Sequence, residues 1–222
     1  MSVLKKINFI KSNLYMYENI CIVGSSKKIL KKKQGKKINH FKEVVRFNRA
    51  KIGSFKEYVG KKTSLRILNN HVFLNIKIWG IVKSEQFFAK KIKNNKILII
   101  SPKKINKQDF NENSNKTNNY FFLNSKKILF LSLFRFIFEP KLFKMIFSII
   151  YSKKNYSVGM AFIMCLLLSK IRPTLFGFDL SENMNKRSHY YQNPGKPGKF
   201  HNLIIEHKIL KILKNKKLIN IK

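Results

Sequence analysis

Aspartate is nearly missing from this sequence: Asp109 and Asp179 are the only two among 222 residues. No D-x-D pair exists to clamp a divalent cation onto a nucleotide sugar. No close set of His, Cys and Glu offers three ligands either, which argues against a catalytic zinc. The two cysteines, Cys21 and Cys165, lie in apolar runs. They build no disulfide framework and suit a reducing cytoplasm. No run reaches the roughly 20 apolar residues that a membrane span needs. Residues 1–20 read as neither signal peptide nor anchor, so a soluble or peripheral cytoplasmic protein is expected. Glycine is also sparse where nucleotide loops are rich in it. In "CIVGSSKKIL" (21–30) Gly24 stands alone, which fits neither the dinucleotide nor the P-loop fingerprint. A G-x-S-x-G esterase elbow is absent.

What is abundant is lysine. The formal net charge is +37, and arginine supplies little of it. Three sources of such charge stay open: nucleic-acid binding, an anionic membrane surface, and plain compositional bias towards Lys, Asn, Ile and Phe. The shortage of arginine, which reads phosphates and bases bidentately, counts against nucleic acid. With 44% hydrophobic residues, the chain can bury a core and is read as one domain over residues 1–222.

Short β-branched runs recur along the chain. "NICIVG" (19–24), "EVVRFNRA" (43–50), "TSLRILNN" (63–70), "KILIIS" (96–101) and "PTLFGFD" (173–179) read as strands. "SVGMAFIMCLLLSK" (157–170) is apolar around most of a helix and should be buried. "HNLIIEHKILKILKN" (201–215) is amphipathic, with Ile205, Ile209, Ile212 and Leu213 on one stripe. Strands alternating with helices predict an α/β fold with a mostly parallel, twisted sheet flanked by helices. Its ligand would then lie at the carboxyl ends of the strands, where Gly24, Asn48, Asn69 and Asp179 fall.

Two stretches depart from the alternation. The asparagine-rich segment 106–120 reads as a loop or lid. "KKILFLSLFRFIFEPKLFKMIFSII" (126–150) is split by Pro140 into two helices, the first with Ser132, Arg135 and Glu139 as a narrow polar stripe beside an aromatic face. Such a piece is either core or a surface that dips into a membrane interface; core is the reading adopted. Its aromatic and basic character still suggests a peripheral contact with an anionic membrane, near a lipid-borne acceptor.

Four segments, in order, resemble the sialyltransferases of glycosyltransferase family 29. The stretch 21–70, with its cysteine-led strand, glycine/serine loop, "RFN" and "VGKKT", is similar to the long sialylmotif. "SVGMAFIMCLLLSKIRPTLFGFD" (157–179) is similar to the short one. "HYYQ" (189–192) and the H-x-x-x-x-E of "HNLIIE" (201–206) are similar to the third and very short motifs. The resemblance covers roughly half the chain, and residues 71–155 between the motifs would shape the acceptor side.

The resemblance implies a GT-A-like fold and an inverting, metal-independent transfer of sialic acid from CMP-sialic acid to a glycan or glycolipid hydroxyl, with no cofactor. CMP-Kdo fits the same reading as donor. Gly24, Ser25 and Ser26 would then cradle the nucleotide, with Asn48 and Asn69 contacting it and its phosphate. Ser157, Val158 and Gly159 would open the buried helix towards the anion. His189 and Tyr190 would stabilise the departing phosphate, His201 would be the base, and Glu206 would support the site. The family's cysteine matching Cys21 pairs with a position that is Lys170 here, so no bridge is expected. Ser25 and Lys27 also depart from the family's first loop. The rival readings are a catalytically decayed basic module that grips polyanions, and a nucleic-acid binder.

Overall fold

All five expected strands form, and every strand pairing among the described residues is parallel. The computed structural model describes residues 19–69, 72, 96–101, 120–152, 156–180 and 202–222. The expected strands are β1 (Ile20–Val23), β2 (Glu43–Phe47), β3 (Leu65–Leu68), β4 (Lys96–Ser101) and β6 (Thr174–Phe176). Two more join them that the sequence reading did not mark, β5 (Tyr120–Asn124) and β7 (Asn220–Ile221). The sheet order is β5-β4-β3-β2-β1-β6-β7. The chain therefore walks outward from β1 to β5, then crosses back to lay β6 on the other side of β1.

Burial on both faces explains why β1 lacks the polar alternation of a half-exposed strand. Ile20 and Ile22 enter the larger core with Val45, Ile67 and Leu175. Cys21 and Val23 enter a smaller one with Val44, Val59 and Phe176. The smaller core is roofed by a 3-10 turn (Lys27–Lys31) and two short helices, α1 (Gly35–His40) and α2 (Lys56–Val59).

The larger core is closed by α3 (Ser125–Arg135), α4 (Pro140–Tyr151), α5 (Val158–Leu168) and α6 (Leu203–Asn215). Helix α5 is buried continuously from Met160 to Leu167, as its all-round apolar sequence requires. Helix α6 buries Glu206, Ile209, Leu210 and Leu213. Pro140 does separate α3 from α4, occupying the first turn of α4, where its missing N–H costs nothing.

In the 126–150 stretch the polar stripe divides, with Arg135 exposed and Glu139 half-buried while Ser132 turns inward. Ser132 is fully buried, and its hydroxyl donates to the Ile128 carbonyl at 2.9 Å. That local bond satisfies the one polar group and lets serine face the core. The outer face instead carries Phe130, Phe134, Ile137, Phe138, Phe147 and Tyr151. Core and exposed aromatic surface are thus two sides of the same hairpin. No described helix is long and apolar enough to cross a membrane.

Candidate active site

The loop after β1 is locked to the loop after β6. Gly24 N–H donates to the Phe176 carbonyl at 2.7 Å, and Ser26 N–H donates to that of Gly177 at 3.1 Å. A Cβ on Gly24 would lie 2.5 Å from the Gly177 oxygen and 2.9 Å from the Phe178 ring. Gly24 is therefore required by backbone-to-backbone packing, a reason nearer than the close approach of a nucleotide. Gly177 has φ +68, a backbone that other residues adopt only with strain. Ser26 caps the following 3-10 turn, accepting from Lys28 N–H at 3.2 Å. Lys28 then pairs with Asp179 at 2.6 Å. Ser25 and Ser26 thus stand on a loop fixed at both ends.

Beside it, Val23 pairs with Arg46, so Gly24 and Phe47 leave the sheet as neighbours. Asn48 follows in the left-handed region at φ 42, a conformation asparagine tolerates. Its Oδ1 accepts the Asn69 N–H at 3.0 Å, while the Asn69 Oδ1 accepts from Val72 N–H at 2.6 Å. Both carbonyl oxygens are thereby committed to the backbone. The Nδ2 protons are the groups left to meet an acceptor such as a phosphate oxygen.

Two arginines support this edge, and neither was singled out from sequence. Arg46 is fully buried in β2. Its Nη2 donates to the carbonyls of Val59 (2.5 Å), Gly60 (3.1 Å) and Lys62 (3.1 Å), and its Nε donates to the Thr63 hydroxyl (2.9 Å). The arginine of "RFN" therefore holds the "VGKKT" turn in place. Asn39 adds the other clamp, its Oδ1 accepting Lys61 and Lys62 N–H at 2.8 and 3.1 Å. Arg66 donates to the carbonyls of Asn48 at 2.9 Å and Ala50 at 3.3 Å, fixing the turn that carries Asn48. A cation among carbonyl dipoles is a signal that only the fold reveals, because in sequence each arginine reads as a stray charge in an apolar strand.

The third component is the start of α5. Ser157 caps it, accepting Met160 N–H at 3.1 Å, so the free amides of this terminus and its positive dipole end favour an anion. At Gly159 an added Cβ would lie 3.6 Å from the Phe47 ring, which brings the helix start against the strand end that carries Asn48. Val158, next to it, is half-buried against the larger core. Glu206, in the first turn of α6, is 3% exposed. Its two oxygens accept from Ser157 N–H and from Ser157 Oγ–H, both at 2.6 Å. This carboxylate ties the starts of α5 and α6 together.

Gly24, Ser25, Ser26, Asn48, Asn69, Ser157, Val158 and Gly159 therefore converge on one edge of the sheet, the carboxyl edge, with Glu206 behind them. His189, Tyr190 and His201 lie outside the described residues. The region expected to shape the acceptor side falls partly there too. Among the described residues, no three His, Cys, Asp or Glu side chains gather to hold a metal ion.

Cys21 and Cys165 are both free and buried, and they enter the two separate cores on opposite faces of the sheet. Burial pushes each thiol up to about 12. At Cys21 the nearby Arg46 charge opposes that rise without cancelling it. Lys170 sits in a left-handed turn at φ 60 just after α5.

The same fold occurs in solved mammalian sialyltransferases. One, crystallised with Gal-beta-1-3GalNAc-ortho-nitrophenol, matches with a TM-score of 0.56 at 15% identity, over 91% of this chain and 68% of that one. Another mammalian sialyltransferase matches with a TM-score of 0.58 at 16% identity, over 92% and 68%. In sequence, Sialyltransferase-like protein 2 of Arabidopsis thaliana is 46% identical over 48 residues, 22% of this chain and 11% of that protein's length. The family model described as glycosyltransferase family 29 (sialyltransferase) matches residues 6–218, nearly the whole chain. The chain belongs to glycosyltransferase family 29, the sialyltransferases.

Proposed function

We propose that this protein transfers sialic acid, or a related keto acid such as Kdo, from its CMP-activated form to a hydroxyl of an acceptor glycan. The observation that carries the reading is the convergence of the β1 loop, Asn48, Asn69 and the α5 terminus on one edge of the sheet. Those groups are donors, and a nucleoside monophosphate leaving group supplies acceptors. In the reaction the acceptor oxygen attacks the anomeric carbon from the face opposite the CMP oxygen. The carbon–oxygen bond to CMP breaks, its electron pair stays on the phosphate, and configuration inverts. His201 takes the proton of the attacking hydroxyl. His189 and Tyr190, with the amides of Val158 and Gly159, offset the charge that grows on the phosphate. Glu206 acts by holding Ser157.

CMP is already a good leaving group, so positioning and charge stabilisation supply most of the rate. The lysine field helps recruit an anionic donor. The scarcity of aspartate supports a metal-independent reaction, with no cofactor, on a GT-A-like variant of the α/β sheet. The free thiols on opposite sheet faces support a reducing, cytoplasmic setting. A galactose-ended disaccharide like the one bound by the mammalian neighbour is a sensible first acceptor.

The test is CMP release from CMP-sialic acid and CMP-Kdo, with EDTA present, for wild type and His201→Ala. Turnover should survive chelation and fall by about 10²–10⁴ in the variant. CMP binding without turnover of either donor would replace the transferase with a binding module that has kept the pocket.

A further inference from the structure

Helices α3 and α4 spend their inner stripes on the core. Ile128, Leu129, Ser132, Leu133 and the following Phe136 are buried on one side of the hairpin, and Leu142, Ile146 and Ile149 on the other. The remaining large apolar side chains have nowhere inside to go. Phe130 is 49% exposed, Phe134 62%, Tyr151 66%, and Phe138, at the turn between the helices, 93%. They form rows rather than scattered points. The Phe130 and Phe134 rings lie 5.6 Å apart, and Phe147 and Tyr151 lie 4.4 Å apart. Ile137, Pro140, Phe143, Lys144 and Phe147 line an open hollow of about 410 Å³ beside the tip. Exposed apolar rows of this kind on one hairpin mark an interaction surface.

The charge around it selects the partner. Lys126, Lys127, Arg135, Lys141 and Lys144 lie on the same outer surface, interleaved with the aromatics at helical spacing. The one acid of this hairpin, Glu139, is held by Lys216 at 2.6 Å. A second copy of the chain would set these cations against themselves. A protruding, almost fully exposed phenylalanine at a convex turn presents no shape for a rigid partner to match, but it can enter a soft interface. Aromatics flanked by lysine on an amphipathic surface are what an anionic lipid interface takes up.

We infer that the α3–α4 hairpin docks on an anionic lipid bilayer, with Phe134 and Phe138 entering the interface and Arg135, Lys141 and Lys144, the cations nearest the turn, facing the headgroups. The topology sets the orientation. Helix α3 leaves the carboxyl end of β5 and α4 returns to that edge, so the Phe138 turn points to the opposite edge of the sheet. The Glu139–Lys216 pair lies at the far end of α6 from Glu206 and agrees with this. Docking by this tip leaves the edge that carries Asn48 and Ser157 open to water.

The full chain is mixed with phosphatidylcholine vesicles, with and without phosphatidylserine, and floated through a density gradient at low and high salt. Binding should require phosphatidylserine and fall steeply with salt. Phe134→Ser with Phe138→Ser should weaken it by about tenfold per phenylalanine, and each Lys→Gln at 141 or 144 by about fivefold. Phe138→Trp, made with Trp79→Phe to remove the natural tryptophan, gives a second readout: a blue shift in emission on adding anionic vesicles. Vesicle-bound Phe138→Trp protein whose emission does not shift, or a double serine variant that binds as wild type does, would overturn the inference. So would a dimer in sedimentation equilibrium that the serine variants dissociate, which would assign the face to a second copy.

Discussion

The Ser157–Glu206 link can be tested as a unit. The carboxylate is 3% exposed and accepts two bonds at 2.6 Å from one serine. Hydrogen bonds to a charged partner contribute about 1.5–3 kcal/mol each. Removing the acceptor also relieves the cost of burying its charge, which offsets part of the two bonds, so Glu206→Ala should cost on the order of 3 kcal/mol. At about 2–4 °C of melting temperature per kcal/mol for a chain this size, the drop is roughly 10 °C. Ser157→Ala keeps its N–H on Oε1. It loses the hydroxyl bond to Oε2 and the cap on Met160, together about 2–4 kcal/mol. The double variant should cost less than the sum by about 1.5–3 kcal/mol, because both changes remove the same bond. Urea unfolding followed by far-UV circular dichroism of the four proteins measures this directly. Additivity within about 0.5 kcal/mol would refute the link. Glu206→Gln, which keeps one acceptor oxygen, should recover about half of the alanine loss. A glutamine variant with full stability but abolished turnover would instead give the carboxylate a direct part in the chemistry.

Two further outcomes follow from packing. Gly24→Ala drives a Cβ to 2.5 Å from the Gly177 oxygen, and a backbone atom cannot swing aside. Stability should fall by about 1–3 kcal/mol and CMP binding should weaken with it; an alanine variant that melts with the wild type would mean the two loops do not touch. Both thiols are raised by burial from 9.0 to about 12, so at pH 8 only about one in 10⁴ is ionised. Neither should react with Ellman's reagent until the protein is denatured, when both should. Because the folded thiols hold their protons longer than the unfolded ones, their stabilisation is complete below pH 9 and declines as pH rises from 9 towards 12.

The strands that could be read from sequence were those with clear boundaries: Gly24 after β1, Asn69 after β3, Pro102 after β4 and Pro173 before β6. β5 was missed because the apolar run in "YFFLN" is only four residues, Tyr120 to Leu123, set between asparagines, which periodicity alone cannot distinguish from the first turn of the helix that follows. The core reading of the hairpin holds for one face only, and its polar stripe divides: Ser132 buries without penalty by donating to its own helix at Ile128, while Arg135 and Glu139 stay at the surface. At the candidate site, the strand ends at Gly24, Asn48 and Asn69 were legible from the residues, whereas the helix opening at Ser157–Gly159 was marked only by the resemblance to the family. Arg46 was not, since its partners are carbonyls of Val59, Gly60 and Lys62, and no pattern of side chains announces a backbone acceptor.

The strand order has a temporal side. β1 leaves the ribosome before the other described strands, and β2, then β3 beside it, can add to one edge through short connections. Its other edge must wait for β6, because Ile22 pairs with Leu175 across most of the chain. Until then a fully apolar strand offers an open row of hydrogen-bonding groups, the condition that invites pairing with the wrong chain. The Gly24–Gly177 contact closes that edge, so the loop after β1 is made well before the partner that completes it. Truncation after α5 should therefore yield a protein that aggregates through its central strand.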